Sequence, residues 1–113
     1  YMSVKKLSWE VPDYLSYSNN INKYLQTAGK SIKLSLSSDL LLTNEYAYSN
    51  QVKVSMKLSN DGTLKDIQLV KSSGSDQINK IVLQTVKDTL NVIKPATGEV
   101  PTPEFKLGLT INF

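Results

Sequence analysis

The chain contains no cysteine, no histidine and no arginine. Without histidine and cysteine it lacks the commonest general base, the most reactive nucleophile and most ligands for transition metals. It can form no disulfide, although that absence fits oxidising and reducing compartments alike. Without arginine, all the positive charge rests on 13 lysines interspersed with 10 acids, for a net charge of +3. Nucleic-acid binders gather their cations into one stripe, so this dispersed pattern argues against a nucleic-acid partner. There is also no apolar run of eighteen residues and no basic-then-apolar leader, so neither a membrane span nor a signal peptide is read here. The opening Tyr1-Met2 suggests an excised or mature piece, with any anchor lying upstream.

The remaining polar residues offer no catalytic set. Asp61 belongs to a turn and Asp76 to a helix start. Asp66, Asp88, Glu99 and Glu104 have no motif linking them, and solvated charge accounts for them. Asn60-Asp61-Gly62 is too short for a calcium loop. Ser72-Ser73-Gly74-Ser75 lacks the glycine-lysine spacing of a phosphate-cradling loop. The expectation is a binding module and not an enzyme, with no cofactor and no metal.

With 113 residues, 40% hydrophobic and 20% charged, the chain has the size and balance of one folded domain. Residues 1–17 read as a lead-in ending at Pro12-Asp13, with Trp9 as an anchor onto the domain or part of a partner surface. From about Ser18, Ile21, Leu25, Ala28, Ile32, Leu36 and Leu40 recur every three or four residues, which predicts a long helix. A second reading stays open over residues 31–37, where Ile32, Leu34 and Leu36 alternate as in a strand and Gly29 offers a break. Asn44 to Asn50 read as a connector, closing a helical segment over 18–50.

Residues 51–113 are more explicit. Val52, Val54, Met56 and Leu58 alternate with polar residues, Asp61-Gly62 marks a hairpin, and a second strand runs from Thr63 to about Lys71. Ser72, Ser73 and Gly74 form a turn, and Ser73 with Asp76 resembles a capping box. Ile78, Ile81, Val82, Val86, Leu90 and Ile93 then give a helical stripe that must end near Lys94, ahead of Pro95. Finally Phe105, Leu107, Leu109, Ile111 and Phe113 alternate with Lys106, Gly108, Thr110 and Asn112. Chain direction puts the last strand beside the first. The fold class is therefore α+β, a three-stranded antiparallel sheet in the order second-first-last. A long N-terminal helix packs on it, with a second helix between the last two strands. The last strand becomes an edge, which either receives a partner's strand or is covered by the chain's own N-terminal part.

The run Val52 to Leu58, Asp61-Gly62, Leu64-Lys65-Asp66-Ile67, then Leu69-Val70-Lys71-Ser72-Ser73-Gly74 and the helical stripe, resembles the C-terminal domain of the TonB/TolA family. The likeness covers about Gln51 to Phe113, within a single domain over 1–113. It departs at Tyr46-Ala47-Tyr48, where many TonB domains carry Tyr-Pro, and at Asn91-Val92-Ile93-Lys94-Pro95, where an aromatic-rich end is usual. The long helix and Pro101-Thr102-Pro103-Glu104-Phe105 are nearer to TolA.

The resemblance implies a periplasmic domain tethered to the inner membrane through an N-terminal helix absent from this chain, and coupled there to proton-driven motor proteins. It implies a partner peptide from an outer-membrane transporter for siderophores, iron or cobalamin, or Tol/Pal-type envelope proteins, with colicin or phage proteins as hijackers. The implied binding site is the last strand, Phe105 to Phe113. A strand-exchanged dimer through that edge would also fit. The alternatives are a TolA-like envelope-integrity domain, a structural envelope domain without peptide binding, and, since the chain ends on Phe113, the last strand of an outer-membrane barrel.

Overall fold

A computed structural model of the chain describes residues 3–43 and 46–113. Its elements are β1 (Lys6–Glu10), α1 (Asp13–Ser16), α2 (Asn19–Leu40), β2 (Gln51–Ser59), β3 (Leu64–Lys71), α3 (Asp76–Val92) and β4 (Glu104–Asn112). The four strands form one antiparallel sheet in the order β1-β4-β2-β3. Three strands thus take the expected order, and a fourth, drawn from the lead-in, extends the sheet beyond β4.

Ser18 starts α2, its side-chain oxygen accepting a hydrogen bond from the Ile21 amide. Leu34 decides between the two readings of residues 31–37. It is 74% exposed while Ile32 and Leu36 are fully buried, which a helical period produces and alternation would not. Gly29 lies inside this helix and does not break it. Of the expected connector, Asn44 and Glu45 lie outside the described residues, and Tyr46 to Asn50 carry neither helix nor strand.

In β2 and β4 the alternation becomes burial. Val52, Val54, Met56 and Leu58, with Phe105, Leu107, Leu109 and Ile111, form the buried face, and the buried stripes of α2 and α3 join them in one core. Burying each such aliphatic side chain contributes about 1.5–3 kcal/mol.

The hairpin at Asp61-Gly62 departs from the usual two-residue Asp-Gly turn in one respect. Among the described residues only glycines have positive φ, and here Gly62 alone takes it, at 88°. The connection therefore closes on one left-handed glycine, with a register shift between Lys57 and Leu58, in place of a turn that needs two. Gly62 is also buried under Pro95, whose Cδ would lie 2.5 Å from an added Cβ. Asp61 holds the turn by accepting from the Thr63 amide and the Ser59 hydroxyl, both at 2.9 Å. These bonds, the Thr63 amide foremost, lower its pKa to about 2.

The turn before α3 is also structural, but the cap moves. Ser75, and not Ser73, accepts from the Ile78 amide as N-cap. Ser73 is buried, and Asn79 Oδ1 accepts from both its amide (2.9 Å) and its hydroxyl (2.7 Å). Asn79 Nδ2 donates to Ser72. Gly74, at φ 87°, leaves room for the Tyr48 ring, and the Tyr48 and Ser49 amides both donate to the Ser73 carbonyl. Ser72, Ser73 and Gly74 thus tie the connector to the start of α3. Helix α3 ends at Val92, two residues before Lys94.

Candidate functional site at the edge of the sheet

The nine residues read as the binding strand lie where the alternation puts them. Phe105, Leu107, Leu109 and Ile111 are buried against the helices, while Lys106, Gly108, Thr110 and Asn112 occupy the opposite face. Of the two readings of this strand, an open edge or one covered by the chain's own N-terminal part, the covered one is observed, the cover being the lead-in with Trp9. β2 pairs along one side of β4 from Ser59↔Glu104 to Gln51↔Asn112, and β1 occupies the other side from Glu10↔Gly108 to Lys6↔Asn112. The Lys5 amide continues the pairing by donating to the Asn112 carbonyl at 2.8 Å. β1 thus blocks a partner strand along Gly108 to Asn112. Phe113 packs against the core, and its amide donates to the Asn50 carbonyl.

The signal for β1 was present in Lys6-Leu7-Ser8-Trp9-Glu10, where Leu7 and Trp9 alternate with polar residues. Five residues are too few to distinguish a strand from a lead-in by period alone. Leu7 and Trp9, opposite Ile111 and Leu109, pack against the core. Of the two roles considered for Trp9, packing is therefore the one observed. The Trp9 indole lies on α2 at Gly29, where an added Cβ would come within 3.2 Å of Nε1. That glycine is a seat for the indole. Gly108 does the same for Glu10, whose Cβ would lie 3.2 Å from an added Cβ.

Among the described residues the outer side of β1 has no neighbouring strand, because β1 ends the sheet. Between it and α2 runs an open groove of about 800 Å³. Leu7, Trp9, Val11 and Leu25 supply its apolar lining, and Lys5, Lys6, Lys30 and Lys33 its charge. Asn22, Gln26, Lys30 and Lys33 recur at helical spacing along α2, so one stripe of that helix forms a wall. Among the described residues no acid lines the groove, and no group of three or more Asp and Glu residues could hold a metal ion.

Behind this edge the wall is held at its start by Glu99. Its carboxylate accepts from Asn20 Nδ2 at 2.7 Å and from the Ser18 hydroxyl at 2.9 Å. Those bonds, Asn20 first, lower its pKa. They also place a negative charge where the helix dipole favours one.

The family model for the TonB C-terminal domain matches residues 16–111. The chain belongs to the TonB C-terminal domain family. No curated protein and no solved structure matches it. In this TonB C-terminal domain the matched span begins after β1 and takes in α2 through nearly all of β4. The strand that covers β4 thus stands outside the part of the chain that carries the family likeness. No helix among the described residues is long and apolar enough to cross a membrane.

Proposed function

We propose that this TonB C-terminal domain is the partner-gripping end of a periplasmic energy transducer. In this reading segments outside the chain link it to a proton-driven motor in the inner membrane, and it holds an extended peptide from an outer-membrane transporter. The family match supports the setting. The absence of histidine and cysteine supports binding over catalysis. The observation that carries the mode of grip is the unpaired outer side of β1, which directly adjoins the groove. An extended segment added there as a fifth strand satisfies backbone groups on both chains and sends alternate side chains over α2. Five or so backbone hydrogen bonds at about 1 kcal/mol net each give a reversible grip in the micromolar to millimolar range.

A second reading keeps Phe105 to Phe113 as the binding strand, with β1 exchanged for the partner. It is favoured by the family span that starts only after β1. One variant separates the two. Ser8 and Thr110 are register partners, at a separation that antiparallel pairing makes suitable for a disulfide. The chain has no other cysteine to interfere. With Ser8→Cys and Thr110→Cys oxidised, addition to β1 predicts unchanged binding of a transporter's N-terminal peptide. Exchange predicts binding only after reduction. If neither form binds the peptide, both readings are wrong.

A further inference from the structure

The groove beside β1 carries more positive charge than the whole chain does. Its four lysines meet no acid among the described residues, against a net charge of +3 over all 113 residues. Lys5 and Lys6 approach it from the strand, Lys30 and Lys33 from the helix, and Trp9 with Val11 gives it an apolar surface. A lysine-lined concavity raises the local concentration of anions. The adjoining strand edge adds a second demand, since only a partner with its own backbone amides and carbonyls can pair with it.

Together these features select one class of partner, and we infer that the groove recognises an acidic, extended peptide segment alternating carboxylate and aliphatic side chains. The inference rests on strand addition at β1, for which it names the chemistry of the added strand. Side chains of an added strand alternate in face, so one set turns toward α2 and the other toward the opposite face of the sheet. With its carboxylates on the face turned toward α2 the segment meets Lys30 and Lys33, and its aliphatic side chains extend the opposite face of the sheet, so that register and sign of charge are read together. An anionic lipid surface would answer the lysines but leave the strand edge unpaired.

The test uses the whole domain and two synthetic heptapeptides with blocked ends, one alternating glutamate and valine, the other lysine and valine. Binding is followed by fluorescence anisotropy. The acidic peptide is expected to bind at least tenfold more tightly, and to weaken severalfold as salt rises from 0.1 to about 1 M, where the screening length falls from about 10 to about 3 Å. Lys30→Glu with Lys33→Glu, both on the exposed side of α2, should reverse the preference while circular dichroism stays unchanged.

Equal binding of the two peptides overturns the acidic specificity and leaves strand addition standing. Acidic peptides methylated on alternate backbone nitrogens, made in both registers, probe the underlying reading. If both bind as well as the parent, strand addition is wrong even though charge recognition is right. Binding to phosphatidylglycerol vesicles, with neither peptide bound, overturns the proposal in favour of a membrane surface.

Discussion

The two flanks of β4 are held very differently. On one side β2 pairs over nine residues, and its inward side chains, Val52, Val54, Met56 and Leu58, are each 2% exposed or less. On the other, β1 pairs over five, with Leu7 and Trp9 only partly buried and no strand beyond among the described residues. Both flanks use the same antiparallel ladder, so the backbone bonds do not distinguish them. The difference lies in apolar area removed from water, which sets how far local opening can proceed without global unfolding. The β2 flank belongs to the core, and the β1 flank is a cover resting on it.

Met56→Ala tests the strong flank and should have the largest effect, lowering unfolding free energy by about 2–5 kcal/mol in urea titration. A cost below about 1 kcal/mol would mean the β2 flank is no better packed than β1. Asn79→Ala should cost about 1–3 kcal/mol by the same measurement, because it strips the buried Ser73 amide of its acceptor, while the Ser73 hydroxyl keeps the Ser75 carbonyl at 3.0 Å. It should also loosen Tyr48 and Ser49, which hang on the Ser73 carbonyl.

On the weak flank, Trp9→Ala should cost only about 1 kcal/mol globally while amide exchange over Lys6–Glu10 accelerates at least tenfold and that of Gln51–Ser59 stays protected. Simultaneous loss of protection in both strands would erase the distinction. Gly29→Leu should produce the same local release by taking the place of the indole, with α2 retained in circular dichroism.

The smallest effect concerns the distant hairpin. The Asp61 carboxyl has its pKa lowered to about 2 in the folded state. A depressed carboxylate stabilises the fold above its unfolded pKa, about 3.9, and that contribution fades as pH falls toward 2. Asp61→Asn should therefore flatten the stability profile between about pH 4 and 2 while leaving β1 exchange untouched. An unchanged slope would place the acid sensitivity elsewhere.

Much of this was legible from residue order. Strand period, the Asp61-Gly62 turn, the stripe of α3 and the stop before Pro95 are local consequences of side-chain spacing and backbone stereochemistry. The strand reading of residues 31–37 was a real competitor, because Ile32, Leu34 and Leu36 satisfy both periods over so short a window. Only the packing of Ile32 and Leu36 without Leu34 resolves it. The cap at Ser75 was missed because Ser72, Ser73 and Ser75 are chemically equivalent in sequence. Burial and Asn79 assign Ser73 another task.

By itself the sequence determined the α+β class, the order of three strands, the apolar faces and the family likeness, since each follows from periodicity and turn chemistry within a few tens of residues. The tertiary structure alone decided whether β4 is an edge. That depended on Lys6–Glu10 pairing with a strand about a hundred residues away in the chain. Such a contact is selected by the fit of Trp9 to Gly29 and Glu10 to Gly108, neither of which leaves a local pattern. The same fold brings Lys5 and Lys6 beside Lys30 and Lys33, turning scattered charge into a groove.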